Sequence, residues 1–256
     1  MTTSSWTLDS NQFAWLWRQE PGHDEFDYPD PIRICQTRMT EDEHRRMKAV
    51  LSEQFPRDGD SPLRMAFTAL ANPETRIRCF GTLADGQEVH SHGVISGRIG
   101  VVVFQRCADA ESAGPIQISA LRPHTVPVHL AATMPPADAG GAGAMTGYTP
   151  RVRGIGQPTS WNRGADGRLP VDERIRTLMR KPRSAEGQLI IERGLRTEYP
   201  SPAQYLNWID VVPGQFASGR YLVQVDRDDT FVIPTDLRTL AAELHTRAGF
   251  DRVPTR

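Results

Sequence analysis

Lysine is nearly absent from this 256-residue chain: of 30 basic residues, only Lys48 and Lys181 are lysines. Arginine codons are GC-rich and lysine codons AT-rich, so the imbalance points to a high-GC bacterial genome rather than to a chemistry. Cysteine is scarce as well. Cys35, Cys79 and Cys107 are widely spaced and form no C-x-x-C pair. An odd count argues against a disulfide framework, and each thiol reads as a small apolar residue in or near a strand. Neither sign of charge is in excess: the formal net charge is −1, so no global field draws the chain to nucleic acid or to an anionic membrane. The longest apolar runs, at 101–104 and 209–212, are strand-sized, which excludes a transmembrane helix. Residues 1–6 show no basic stretch followed by an apolar one, so no secretory signal is expected. A soluble cytoplasmic protein without membrane insertion is the expectation.

The motifs of common cofactor chemistry are also missing. There is no G-x-G-x-x-G, and no glycine-rich loop closes on Gly-Lys-Ser/Thr. Gly93 to Gly97 has the wrong register for a G-x-S-x-G nucleophile elbow. His90-Ser91-His92 is the best metal candidate, because period-two geometry points both imidazoles to one face of a strand. Zinc needs a third and usually a fourth ligand, and Asp85 and Glu88 fall in a turn-like stretch. The simpler reading is two polar residues on a solvent-facing strand side. Asp226, Asp228 and Asp229 lack the central Gly and closing Glu of a calcium loop and read as a hairpin turn. No catalytic residue, cofactor or metal is expected. The alternative is a small metal-dependent or ligand-binding enzyme using His90 and His92.

What the chain does contain is an order of elements written twice. Residues 61–83 run through Ser-Pro, a periodic helix (Leu63, Ala66, Phe67, Leu70), Asn72-Pro73 and an alternating strand at 75–83. Residues 169–195 run through Leu-Pro, a second periodic helix (Val171, Ile175, Leu178, Met179), Lys181-Pro182 and a strand at 188–195. Strands follow at 90–97, 98–106 and 115–121 in the first half, and at 207–212, 219–226 and 230–233 in the second. Each half closes on an apolar helix, at 124–134 and 236–248. A spacing of about 110 residues is too long for a solenoid, whose repeats run ~20–50 residues. It suggests two copies of one unit, at about 61–134 and 169–250 within a single domain over 1–256; a chance echo of common elements is the alternative.

Between the halves, residues 135–168 are rich in Gly and Pro and have little apolar surface to offset their ordering entropy. They read as a linker. Arg151, Arg153 and Arg163 lie there beside Trp161, a combination that suits single-stranded nucleic acid. The neutral charge balance favours a solvated loop, and no nucleic-acid partner is expected. Before the first half, Asp9 is an N-cap for a helix carrying Phe13, Leu16 and Trp17. A short strand is expected at 32–36. Thr40 and Glu43 form a capping box for a helix burying Met47, Val50, Leu51 and Phe55.

Alternation within the second-half strands suggests one apolar and one mixed face each. Tyr221, Val223 and Val225 oppose Leu222, Gln224 and Asp226. Ile209 and Val211 oppose Trp208 and Asp210. Leu189 and Ile191 oppose Gln188, Ile190 and Glu192. This pattern predicts an antiparallel sheet covered by helices on one side only. The mixed face still carries Trp208, Leu222 and Ile190, and large apolar groups on a polar face mark partner sites. Trp208, Leu222, Gln224, Ile190 and Asp210 are therefore the expected partner-binding residues. A partial second cover from the loop at 134–170 is the competing reading.

Several of these features occur together and in order in one family. They are the N-terminal helix with Phe13, Leu16 and Trp17, Tyr28-Pro29, Leu70-Ala71-Asn72-Pro73, Trp208-Ile209-Asp210, Gly219-Arg220-Tyr221-Leu222-Val223 and the final helix from Leu237 to Leu244. The chain resembles the EspG family of type VII (ESX) secretion-associated proteins of actinobacteria over nearly its whole length. The resemblance implies an internally duplicated α+β fold, with a central antiparallel β-sheet and helical bundles packed on one side. It also implies a cytoplasmic chaperone, not an enzyme, with no cofactor. Its partner would be a PPE or PPE-like protein in a PE–PPE heterodimer, whose apolar tip it would keep soluble and direct to its own secretion system.

Overall fold

The computed structural model describes residues 3–20, 26–56, 58–109, 111–155 and 169–250. Ten antiparallel strands form one open sheet. They are β1 (Ser4–Leu8), β2 (Thr75–Leu83), β3 (Glu88–Ser96), β4 (Ile99–Cys107), β5 (Ile116–Leu121), β6 (Met145–Tyr148), β7 (Arg183–Arg193), β8 (Gln204–Val211), β9 (Gly219–Asp226) and β10 (Asp229–Pro234). The spatial order is β1-β5-β4-β3-β2-β7-β8-β9-β10-β6. β2 and β7 pair at the centre through nine residues, from Thr75 opposite Arg193 to Leu83 opposite Ala185. From that seam each half runs outward in chain order, and each ends on a strand taken from earlier in the chain.

Seven α-helices complete the described fold: α1 (Ser10–Trp17), α2 (Glu41–Gln54), α3 (Ser61–Ala71), α4 (Val126–Ala131), α5 (Thr149–Val152), α6 (Val171–Met179) and α7 (Leu237–Ala248). Local chemistry sets their ends. Asp9 accepts from the Gln12 amide while the Gln12 side chain accepts from the Asp9 amide, closing a capping box on α1. Thr40 and Glu43 do the same for α2. Asp236 caps α7 through the Thr239 amide.

The expectation of helices on one side needs correction. One face of the sheet is covered across its middle by α4 and α7, which join Ile77, Cys79, Leu189, Ile191, Leu206, Trp208 and Leu222 in a core spanning both halves. The other face is covered only at its flanks. There α1 and α3 pack Phe13, Leu63, Phe67 and Leu70 on Val94, Val101, Ile116 and Ile118. At the far flank α6 packs Ile175 and Leu178 on Ile209, Val211, Tyr221, Val223 and Val232. The helical cover thus changes face across the sheet, from α4 and α7 over the centre of one side to α1, α3 and α6 over the flanks of the other.

Three more expectations change. Residues 135–168 are not simply a linker: the described part contributes β6, which pairs along β10, and α5. Arg151 stacks its guanidinium on Tyr148 and lies 3.8 Å from the Asp172 carboxylate, while Trp161 and Arg163 lie outside the described residues. The expected strand at 32–36 makes no ladder. Its backbone is instead held by side chains: Gln105 accepts from the Arg33 amide and donates to the Arg33 carbonyl, and Ser10 accepts from the Cys35 amide. On α2 only Leu51 is buried, and Val50 is 61% exposed.

At the seam, Gly81 and Gly187 face each other directly, and Gly187 faces Trp208 on β8. The Trp208 ring lies over both glycines: a Cβ on Gly81 would collide with it, and one on Gly187 would strike the ring and the β2 backbone. An indole can lie flat across three strands only where its neighbours lack side chains. Trp208→Ala empties that space in the largest core, and truncating a buried aromatic costs about 3–5 kcal/mol. We expect this loss in urea unfolding of Trp208→Ala. We also expect Gly81→Ala to be destabilised by overpacking at the same place, whereas alanine at exposed Tyr205 leaves the midpoint near that of the wild type.

Candidate functional site

The centre of the sheet has two unlike faces, because residues opposite one another across antiparallel strands share a side. On the face under α4 and α7 lie Ile77, Cys79, Gly81, Leu189, Ile191, Leu206 and Trp208. On the other lie Arg76, Arg78 and Phe80 of β2, paired with Glu192, Ile190 and Gln188 of β7, which in turn meet Tyr205 and Asn207 of β8. Among the described residues, no helix crosses this second strip. Phe80 is 37% exposed and Tyr205 55% exposed, and Asn207 is exposed beside them. Val225 continues the apolar row on β9 and is also exposed.

Four of the five expected partner residues are not on this strip. Trp208, Leu222 and Asp210 are buried beneath α4 and α7. Gln224 shares that face and accepts a hydrogen bond from Arg247 of α7 at 2.8 Å. Asp210 is bound into the interior: its two carboxylate oxygens accept from Nε and a terminal nitrogen of Arg220 at 2.8 and 2.6 Å, and both side chains are almost wholly buried. The Arg220 guanidinium also donates to the Pro135 carbonyl and lies over the Trp208 ring. Trp208, Leu222 and Asp210 are thus part of the interior, while Gln224 is half-buried beside α7. Ile190 alone lies on the open strip, opposite Arg78 and Tyr205, and is itself largely covered by its neighbours. Tyr221 and Val223 are buried on the opposite face of β9, as expected.

The strip is rimmed by charge. Glu192 receives Arg76 at 2.8 Å and Arg78 at 3.2 Å, and Arg78 also reaches Asp30 at 2.7 Å. Burial works against the charge on Glu192, but the hydrogen bonds and charges of Arg76 and Arg78 outweigh it and hold the carboxyl below the usual range. Beside the strip opens a cleft of about 700 Å³, its walls including Tyr28, Asp30, Arg33, Phe80, Glu88 and His90.

His90 and His92 do share one face of β3, but that face is not solvated: both rings are buried. His92 Nδ1 sits 2.5 Å from the Asp30 carbonyl oxygen. A carbonyl only accepts, so the neutral ring carries its proton on Nδ1, and Nε2 has no hydrogen-bond partner among the described residues. His90 Nε2 is 3.2 Å from a Glu88 carboxylate oxygen that also takes Arg33 at 2.6 Å, and its Nδ1 is 3.8 Å from Cys107 Sγ. A Cys–His–Glu order is present, yet the thiol is fully buried and the carboxylate is committed to Arg33. Among the described residues, no group of three or more His, Cys, Asp or Glu side chains is arranged to hold a metal ion. His92 acts instead as a pin: with Gln105 and Arg78 it fixes residues 30–33 against the sheet, while His90 reaches them through the Glu88 carboxylate that it shares with Arg33.

The open residues Phe80, Tyr205 and Asn207 escaped sequence reasoning. Their signal is weak but present: each alternates with residues of the deepest core, Cys79 and Gly81 in β2, Leu206 and Trp208 in β8. Against known proteins, the sequence model of the EspG family matches residues 11–246. No curated protein matches the chain. Among the described residues, no helix is long and apolar enough to cross a membrane.

The two buried histidines predict a pH response. Burial lowers the His92 pKa to about 4, the nearby Arg76 and Arg78 adding to it; burial and then the Arg33 charge lower that of His90. Both rings are neutral when folded, while in the unfolded chain an imidazole protonates near pH ~6.5. Their contribution is therefore complete above about pH 7, and falls as pH drops below ~6.5 and the unfolded state takes up protons first. For His92 the loss by pH 5 is on the order of 2 kcal/mol. Urea unfolding at pH 7.5 and 5.0 checks this: His92→Gln is expected to lose markedly less stability between the two pH values than the wild type. Equal losses contradict the assignment.

Proposed function

Because this chain belongs to the EspG family, a family of ESX secretion-associated proteins, we propose that it is a chaperone for a PPE or PPE-like protein of a PE–PPE pair. In this reading it holds the apolar tip of the cargo in solution in the cytoplasm and directs it to its own secretion system. The observation that carries the reading is the uncovered strip in the middle of the sheet. The opposite face of the same central strands is buried beneath α4 and α7, yet here two aromatic side chains stand open among amides and paired charges. Exposed aromatic groups with a polar rim are the composition of a protein–protein contact. The supporting strands are among the most firmly bonded in the molecule, so the strip is presented without an ordering cost.

The order of elements supports an internal duplication in the same reading. A strand, two or three helices, four consecutive strands and a closing helix occur as β1 to α4 and again as β6 to α7. The two halves meet at β2 and β7. The strip then lies on the seam between two related units, between the helical covers each contributes, and a cargo tip seated there touches both.

The test is calorimetric binding of purified PE–PPE-type pairs from the same genome. Truncating a buried aromatic anchor typically costs ~2 kcal/mol or more, about thirtyfold in affinity. Tyr205→Ala and Phe80→Ala are expected to weaken the cognate pair by this amount while leaving the melting temperature nearly unchanged. Phe216→Ala, on the fully exposed β8–β9 loop, is expected to bind as the wild type. Wild-type affinity in both Tyr205→Ala and Phe80→Ala places the partner elsewhere.

A further inference from the structure

On the face that carries α4, well away from the open strip, α4 stops short of the outer strands. The gap leaves a cavity of about 270 Å³ lined by Val102, Phe104, Arg106, Gln117, Ser119, His129, Ala132 and Thr133. The floor is set by register: Phe104 faces Gln117 and Val102 faces Ser119 across β4 and β5. The rim comes from His129 on α4 and from the turn that follows it.

The lining is one-sided in its chemistry. Arg106 supplies a permanent positive charge and a fork of N–H donors, and its guanidinium lies over the Phe104 ring, 5.9 Å from the centroid. The ring contact fixes the group by cation–π attraction and leaves its N–H edges unused. His129 offers an N–H in either protonation state, Ser119 a hydroxyl and Gln117 an amide. Arg106, His129, Ser119 and Gln117 make no hydrogen bond or ion pair with any described residue, and no carboxylate lines the cavity. By contrast, Arg33 in the cleft beside the strip takes Glu88, and Arg220 takes Asp210. Thr133 is already used, bonded to Ser91 and to the Leu130 carbonyl, and that anchors the far wall.

From this convergence of open donors around one unpaired arginine, on a small concave space without a carboxylate, we propose a binding site for a small tetrahedral oxyanion of the phosphate class. Arg106 carries the charge recognition, while Ser119, Gln117 and His129 donate to the remaining oxygens. Charge-assisted hydrogen bonds to phosphate are the strong members of their class. The volume admits one such group with its first substituent. The same chemistry serves a free ion or a phosphoryl group on a serine side chain.

The experiment is a two-dimensional amide NMR titration of the full chain at constant ionic strength, with inorganic phosphate and with a short phosphoserine peptide, and chloride as control. The expected result is a saturating shift, confined to amides of residues 102–106, 117–119 and 129–133, with either phosphate probe and not with chloride. Arg106 is exposed, so Arg106→Gln is expected to fold normally and to weaken binding by about tenfold or more. His129→Asn is expected to weaken it to a smaller degree. Tighter binding of the peptide assigns the site to a phosphorylated segment; equal affinity assigns it to the free ion. Shifts that rise linearly without saturating, that spread over the surface, or that persist unchanged in Arg106→Gln overturn the site.

Discussion

The structure depends on one seam, the antiparallel pairing of β2 with β7. Each half is an ordinary run of consecutive strands, but each has an open edge at its first strand, and an unpaired edge is a liability. Joining the two edges removes both and lets α4 and α7 share a single core across the join. The seam is made tight by absence: Gly81 and Gly187 carry no side chains, and Trp208 lies across them. A sheet this wide would otherwise have two separate cores with a weak boundary, and relative motion of the halves would be the default.

A second constraint ties the connector to the sheet. The buried Asp210–Arg220 pair carries a desolvation cost that its own attraction repays only with good geometry and further hydrogen bonds. Both are present: two short contacts, a bond to the Pro135 carbonyl, and an indole face beneath the guanidinium. The Arg220 backbone amide donates to Asp138 and its carbonyl accepts from Gly140 and Thr235. One arginine thus anchors the path of the chain between the halves by side chain and backbone together. Removing either charge would strand the other in the interior.

Between the covers on its two flanks, the face opposite α4 and α7 keeps an open strip among the described residues, and its character follows from the seam. The strip must sit where neither helical cover reaches, so it belongs to the innermost strands, which are also the best supported. His92 and Arg78 pin residues 30–33 along one margin of it. The polar groups used in that margin are already paired, and Asn207 accepts from Gln188, which leaves the rings of Phe80 and Tyr205 as the open apolar groups. The oxyanion cavity lies on the opposite face and shares none of these residues.

The sequence by itself determined where the elements fall and how each alternates. Caps at Asp9 and Thr40 and punctuation by Pro and Gly marked helix starts; period-two patterning marked eight of the ten strands. Those signals are local, and local sterics and hydrogen bonding produce them. Ser4–Leu8 and Met145–Tyr148 escaped because short edge strands gain their order from a neighbour rather than from their own composition. Alternation within a strand states only that two sets of residues point opposite ways. Which set of one strand shares a side with which set of the next is decided by register, and register is a tertiary property. Ile190 and Trp208 both read as mixed-face residues, yet Ile190 stands opposite Tyr205 on the open side, while Trp208 stands opposite Gly187 under α4 and α7. The burial of Trp208 rests on two glycines remote from it in the chain, Gly81 by more than a hundred residues, and on helices that cover only the middle of one face. No local pattern encodes such a meeting; the folded sheet makes it.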